Sequence, residues 1–343
     1  MAHSRYFDNL GERPLTNLAI SEVCNLTCPY CFASEYLGLR DTNSRFMTLP
    51  QYDELLDFLD RSGIDQVRLL GGEPTLHPHF DTLIQKAQAR QKFVMIFSNG
   101  LMPSRALDAL CQLSADQCRI LVNVNSPHDI GDKAFARLTA NLHRLGKRAI
   151  VGFNIYRADF DALFLLDLIA ETDCMPHIRL GIAHRCLTDN NHYIHPRQYR
   201  LVAEKVLLLA QAAAQQDAAI EFDCGFVRCM FSDEEIQLLQ SCGVTPEWHC
   251  APILDVNLHG QAVACYPMAE YQTISVDKTI TADLLHQKFS TNTAHLRQAG
   301  IYPECSTCHF KLTNHCPGGC LAATLQRFQK PSFHISMEET NHV

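Results

Sequence analysis

The chain has 343 residues, 47% of them apolar and 19% charged, with a formal net charge of −8. That composition excludes a disordered chain, and the acidic balance with no Lys/Arg run excludes a surface built to track nucleic-acid phosphates. No stretch reaches the ~18 uninterrupted apolar residues of a membrane span, and Met1–Asn9 lacks the apolar core of a signal peptide, so a cytoplasmic protein with no membrane partner is expected.

In chain order, Leu18–Ser21 reads as a short buried strand that runs directly into Cys24-Asn25-Leu26-Thr27-Cys28-Pro29-Tyr30-Cys31. A polar stretch to Arg45 follows. Thr48-Leu49-Pro50-Gln51 then makes a helix start with a Thr cap, an early Pro and a returning Gln. Tyr52, Leu55, Leu56 and Leu59 give that helix one buried face, and Gly63 ends it. Apolar runs at 66–70, 93–97, 120–124, 149–154 and 178–182 alternate with amphipathic stretches at 80–91, 106–113, 133–145 and 160–171. The runs recur about every 27–30 residues, the βαβ period. Six units, apolar enough to be buried on both faces, predict an α/β fold, and a barrel or a partial (β/α)6 TIM-like barrel with two units missing fits them better than an open sheet.

A further helix is predicted from Pro196 to Gln215, one more strand at Ile220–Phe222, and a capping box at Ser232–Glu235 opening a short helix to about Cys242. Beyond about 245 helical periodicity fades and Cys, Gly, Pro and His accumulate. The expected division is an N-terminal segment 1–14, a barrel 15–225, a small cysteine-rich extension 226–328 and a tail 329–343.

Sixteen cysteines in a chain with ample core point to metal ligation rather than a disulfide framework. C-x3-C-x2-C on one loop after a strand supplies three thiolates, one fewer than the usual four of an iron–sulfur cluster, which suggests an iron kept open for a small molecule. In parallel βα folds ligands sit at the carboxyl ends of strands. There the chain carries Gly71-Gly72-Glu73-Pro74, then Ser98-Asn99-Gly100, then Asn123-Val124-Asn125-Ser126. The glycines allow close backbone approach, and the main chain with Glu73 can receive a ligand's ammonium.

The cysteine loop with Tyr30 before its last member, followed by Gly71–Pro74, resembles the radical S-adenosylmethionine (radical SAM) superfamily over roughly residues 15–225. The resemblance implies that Cys24, Cys28 and Cys31 bind a [4Fe-4S] cluster whose open iron chelates the methionine moiety of SAM. Gly71, Gly72 and Glu73 would meet its amino group, Asn125 and Ser126 its ribose, Tyr30 its adenine, and Asn154 the methionine or ribose. The implied activity is reductive cleavage of SAM to a 5′-deoxyadenosyl radical that abstracts a substrate hydrogen, fed by a donor such as flavodoxin or ferredoxin. For Asn125, Ser126 and Asn154, capping of the following helix is the competing role.

Cys250-x9-Gly260-x4-Cys265, Cys305-x2-Cys308 and Cys316-x3-Cys320 resemble the SPASM extension of such enzymes, which holds one or two auxiliary Fe–S clusters. In the fuller family pattern Cys250, Cys265 and Cys320 share one cluster and Cys305, Cys308 and Cys316 the other. The gap after Cys308 is longer than the family's, and no cysteine follows Cys320, so six thiolates fall short of two full sets. Cys224, Cys229, Cys242 or His315 are the candidates to complete them. A zinc ribbon on Cys305, Cys308, Cys316 and Cys320 is the competing reading. Cys224 or Cys229 could equally quench a substrate radical or pack as a structural thiol, and His184 and Arg185 could meet adenine or substrate. Cys111, Cys118 and Cys174 read as core.

The expected activity is that of a radical SAM oxidoreductase modifying a peptide or protein side chain. With only 23 residues before Cys24, a separate peptide-recognition protein, or a substrate without a leader, is expected if peptides are the target. Tyr266-Pro267 after Cys265, where a sulfatase-maturing enzyme carries an acid, speaks against that version. The alternatives are the same chemistry on a sugar or amino-alcohol, and a non-catalytic Fe–S carrier.

Overall fold

The computed structural model describes residues 15–34, 45–186, 191–248, 250 and 253–328. The expected N-terminal segment, the tail from 329 and most of the polar stretch before Arg45 lie outside these.

Among the described residues ten strands form one sheet: β1 Thr16–Ser21, β2 Gln66–Gly71, β3 Phe93–Ser98, β4 Cys118–Asn123, β5 Ala149–Ile155, β6 His177–Ile182, β7 Ala219–Phe222, β8 Leu254–Val256, β9 Gln261–Val263 and β10 Ile274–Ser275. Their order is β10-β9-β8-β1-β2-β3-β4-β5-β6-β7. From β8 through β7 every pairing is parallel, while β9 and β10 pair antiparallel. The six expected units are present with β7 as a seventh strand, and the hairpin of the extension joins the barrel's own sheet through Thr16↔Leu254 and Leu18↔Val256.

The crossovers are α1 Leu49–Arg61, α2 Phe80–Ala89, α3 Ser104–Cys111, α4 Pro127–Ile130, α5 Asp132–Leu145, α6 Phe164–Glu171 and α7 Tyr199–Gln215, followed by α8 Asp233–Ser241. The Thr48/Gln51 and Ser232/Glu235 capping boxes close as their spacing requires. The extension departs from the sequence reading, which saw helicity fade after 245. It holds an 18-residue helix, α9 Ala282–Ala299, then α10 His309–Leu312 and α11 Leu321–Phe328. Helix α9 buries only Ala282, Leu285, Phe289, Thr293 and Leu296. A row that narrow, with Thr and Ala in it, leaves almost no 3.6-residue signal.

Strand alternation divides the sheet into two faces. Val67, Leu69, Val94, Ile96, Ile120 and Val122 pack under the helices in the main core. Met95, Leu121 and Ile150 form a separate inner cluster with Phe93, Phe97 and Met175. Beside it the inner face carries polar and charged groups. Arg68, 1% exposed, donates to Asn17 Oδ1 at 2.8 Å and lies 4.9 Å over the Phe97 ring, and Asn17 donates to Asp255 at 2.7 Å. Across the interior Arg179 pairs with Asp223 at 2.5 Å, close enough for both to act on Arg68. Strands β2, β6 and β7 therefore face one another, and the sheet curls into a barrel.

Burial pushes the Asp255 carboxyl up to about 7, against the pull of the Asn17 hydrogen bond, the Tyr266 amide and the Arg68 charge. A carboxyl raised in the native state binds more protons there than in the unfolded chain. The contribution of Asp255 to stability is fullest below about pH 4 and is lost as pH rises towards 7. Removing Arg68 raises that carboxyl further and leaves its anion unpaired. Arg68→Leu is expected to cost about 3–5 kcal/mol at pH 8 and distinctly less at pH 5.5, read from thermal midpoints of the apoprotein. Equal losses at both pH values would contradict the Arg68–Asn17–Asp255 linkage.

Candidate active site

Parallel pairing delivers the ends of β1 to β5 to one mouth, and the cysteine loop leaves β1 there. Its root is fixed by β2: the amides of Gly72 and Glu73 donate to Ser21 and Val23 carbonyls, each at 2.7 Å. Gly71 makes this junction possible. Its φ is +149°, and a Cβ would stand 2.2 Å from Ser21 O.

Glu73 is 0% exposed, and its carboxylate is consumed inside the protein. It accepts Thr75 N, Thr75 Oγ1 at 2.5 Å, Ser98 Oγ, and Asn99 N at 2.8 Å. Burial raises its pKa while those four donors oppose the rise. The carboxylate thus ties the turn after β2 to the turn after β3, and what Glu73 can offer a ligand is its main chain.

The three thiols are half-buried. Cys24 Sγ accepts Leu26 N at 3.5 Å and Asn99 Nδ2 at 3.8 Å, and Cys28 Sγ accepts Asn125 Nδ2 at 3.6 Å. Tyr30 donates its hydroxyl to Asn125 Oδ1 at 2.8 Å, interacts with Asn154, and meets the Tyr156 ring at 5.0 Å between centroids, tilted by 30°. Beyond β6, Asn191 and His192 hold the loop through the carbonyls of Tyr30 and Pro29. Burial holds Cys24, Cys28 and Cys31 above the ordinary thiol range, Cys31 at about 11; the Glu73 charge adds to the rise at Cys24, and neighbouring thiolates add to it at Cys28 and Cys31. Such a set ionises together when cations are brought in.

Cys24, Cys28, Cys31, Tyr30, Asn125 and Asn154 are thus gathered, with Gly71–Pro74 alongside. Ser126 behaves differently: its hydroxyl caps α4, accepting Asp129 N at 3.3 Å. Asn99, Ser98 and Tyr156 were not singled out as ligand-site residues. Of these Asn99 had a signal, the Ser-Asn-Gly end of a strand. A cavity of about 380 Å³ opens between Ser21, Gly71 and Gly72 on one side and Leu258, Val263 and Tyr266 of the extension on the other. Tyr266 stacks 4.9 Å from Phe32, next to Cys31.

The extension's thiols fall into two groups. Cys224, Cys250 and Cys320 lie within hydrogen-bonding reach of one another, with Cys265 beside them. Cys229 stands among Cys305, Cys308 and Cys316. The zinc-ribbon grouping is not the one formed, because Cys320 turns to Cys224 and Cys250. Among the described residues no three His, Cys, Asp or Glu side chains are gathered at the spacing of one bound ion. His315 is exposed and bonded to Thr313, and Cys242 ends α8. Cys111, Cys118 and Cys174 belong to helix ends and core, as expected.

Residues 18–155 match the radical SAM superfamily model. The chain carries a radical SAM domain. Proteins of this superfamily use a [4Fe-4S] cluster and SAM, and the loop at Cys24–Cys31 with its thiol donors fits that pair. Among curated relatives, a GTP 3′,8-cyclase of Chlorobaculum tepidum is 32% identical over 29% of this chain and 29% of its own length. An S-adenosylmethionine-dependent nucleotide dehydratase of Flammeovirga pacifica is 30% identical over 38% of this chain and 44% of its own. The chain therefore spans under half of these relatives. Among solved structures, SuiB of Streptococcus suis bound to S-adenosylmethionine superposes with a TM-score of 0.65 over 92% of this chain and 74% of that one, at 14% identity. Native anSMEcpe with bound AdoMet gives 0.57 over 90% and 89%, at 16% identity. The shared fold thus includes the cysteine-rich extension.

Glu73→Gln keeps the shape but turns an amide nitrogen towards donors it cannot accept. The expected cost is about 1–3 kcal/mol in stability, with weaker SAM binding because Asn99 loses its anchor. Calorimetric titration of SAM together with a melting curve checks this. Unchanged SAM affinity would show that the Glu73–Asn99 bond does not position the site.

Proposed function

We propose that this protein is a radical SAM enzyme that abstracts hydrogen from a peptide or protein side chain. The observation that carries the chemistry is the set of three thiols at the end of β1, with Asn99 and Asn125 directed at their sulfurs and the Gly71–Pro74 turn beside them. Cys24, Cys28 and Cys31 hold the [4Fe-4S] cluster. When bound, the reduced cluster and SAM supply methionine and a 5′-deoxyadenosyl radical that takes hydrogen from the substrate.

The remaining work belongs to the chain. N–H groups of Leu26, Asn99 and Asn125 stabilise negative charge on the ligating sulfurs. The carbonyls of Gly71, Gly72 and Glu73 receive the amino group of SAM, in a turn held rigid by Pro74 and by the buried Glu73 carboxylate. Tyr30, paired with Tyr156, offers a flat face to adenine. Asn125 and Asn154 orient the ribose side through the Tyr30 hydroxyl, and Ser126 contributes by fixing the turn as a cap. The cavity under Tyr266 gives a substrate room beside the reacting atoms. Cys250, Cys265, Cys305, Cys308, Cys316 and Cys320 carry auxiliary Fe–S clusters, and a flavodoxin or ferredoxin supplies electrons.

Support for a peptide substrate is the whole-chain likeness to SuiB, which has been solved with the precursor peptide SuiA. A small-molecule substrate is the second reading, favoured by the nucleotide-acting curated relatives and by the polar barrel interior of Arg68, Arg179 and Asp223.

The anaerobically reconstituted, reduced protein is expected to form 5′-deoxyadenosine and methionine from SAM, and a Cys24/Cys28/Cys31→Ala variant to form neither. Chromatography of the quenched reaction reads the result. No 5′-deoxyadenosine from cluster-loaded wild type would overturn the enzyme reading and leave the carrier.

A further inference from the structure

We propose that Cys224 and Cys229, on the turn leaving β7, are the fourth ligands of two separate auxiliary clusters, which makes both clusters fully thiolate-ligated. The inference rests on the reading that the extension binds Fe–S clusters. It assigns Cys224 to the set of Cys250, Cys265 and Cys320, and Cys229 to the set of Cys305, Cys308 and Cys316.

The turn is built to hold two thiols apart and in place. Pairing with β6 continues past the end of β7, since Asp223 N donates to Leu180 O at 2.7 Å and Ile182 N to Cys224 O at 2.9 Å. Gly225 then reverses the chain at φ +106°, where a Cβ would stand 2.6 Å from Ile182 Cβ and 2.7 Å from His184 Nε2. Phe226 folds back onto Phe222 at 4.2 Å between centroids, and Val227 and Met230 are buried. The five-residue step from Cys224 to Cys229 therefore has little freedom.

Each end of the turn is pinned to the partners of one set. Trp248, two residues before Cys250, packs on Phe222 and Phe231 at 6.2 and 5.7 Å, which brings Cys250 to Cys224. Arg297 adds its charge by donating to the Cys250 carbonyl and, at 3.2 Å, to that of Gly319, next to Cys320. At the other end the Arg228 guanidinium lies 4.6 Å over the Phe310 ring, which holds Cys229 against the loop of Cys308 and Cys316. That loop is folded tightly, with His315 N and Cys316 N both donating to Phe310 O. Gly300 makes room for Cys305, because a Cβ on it would lie 2.5 Å from Cys305 Cβ.

One further observation fits a group in the first set. The buried His184 Nε2 has no hydrogen-bond partner among the described residues, and it lies beside Cys250. An acceptor in that space would satisfy it.

Four thiolates per cluster leave no open iron for substrate, so the auxiliary clusters act as electron carriers, and the only open iron is at Cys24–Cys31. Asp223, paired with Arg179 inside the barrel, is the neighbour of Cys224, which sets the first carrier directly behind the interior.

The test uses full-length protein carrying Cys24, Cys28 and Cys31→Ala, so that only auxiliary clusters remain. Iron and sulfide analysis is combined with EPR of the reduced and mildly oxidised samples. Cys229→Ser and Cys224→Ser are expected each to alter one cluster signal, a different one in the two variants. Each should either lose about half of the remaining iron or give a [3Fe-4S] signal on oxidation. Cys242→Ser and His315→Ala are expected to match the parent. If Cys229→Ser does not fold, Cys229→His decides, retaining iron with a shifted signal. A Cys229 variant identical to the parent, or a change in the Cys242 or His315 variant, overturns the assignment. A parent that binds no iron at all overturns the auxiliary-cluster reading instead.

Discussion

Thiolates packed together inside a protein repel one another and lose their hydration, and this cost governs how the molecule is arranged. Burial holds Cys24, Cys28 and Cys31 in their protonated form, and Cys229 and Cys265 are pushed up in the same way by burial and neighbouring thiolates. Such groups become compatible with a folded core when iron supplies the compensating charge. The polar contacts around them serve the same end: amide donors to the Cys24 and Cys28 sulfurs, and Arg297 beside Cys250. The turn chemistry at Gly71 and Gly225 is what brings the backbone close enough for these contacts.

The barrel and the extension are one mechanical object. Strand β8 pairs with β1, so the hairpin before Cys265 continues the sheet from which the Cys24 loop departs. On the other edge, the turn after β7 reaches into the extension. A substrate in the cavity lined by Gly71, Gly72 and Tyr266 would therefore touch both parts. The inner face of the sheet carries charged groups beside the small Met95–Leu121–Ile150 cluster, and the Arg68–Asn17–Asp255 and Arg179–Asp223 contacts hold its shape.

Much of this was legible in the sequence for a simple reason. Strands buried on both faces are continuous apolar runs, and their 27–30-residue recurrence gives the barrel. Capping boxes at Thr48 and Ser232 are local and were readable as such. The loop of Cys24, Cys28 and Cys31 was readable because its three thiols lie within eight residues. What depends on contacts across the chain was not. The grouping of Cys224 with Cys250 and of Cys229 with Cys305 joins positions far apart, and spacing cannot rank them against Cys242 or His315. Strand β8 is three residues long, and helix α9 buries too narrow a row to announce itself. The part of Glu73 as an internal tie was hidden because its partners, Ser98 and Asn99, lie on another strand end.

The central claim is that one cluster has an open iron and the others are closed. It is tested most directly by EPR of the reduced, fully loaded wild-type protein with and without SAM. The account predicts that SAM shifts one component of the spectrum and leaves the auxiliary components unchanged. A spectrum in which no component responds to SAM, or in which all of them do, would contradict it.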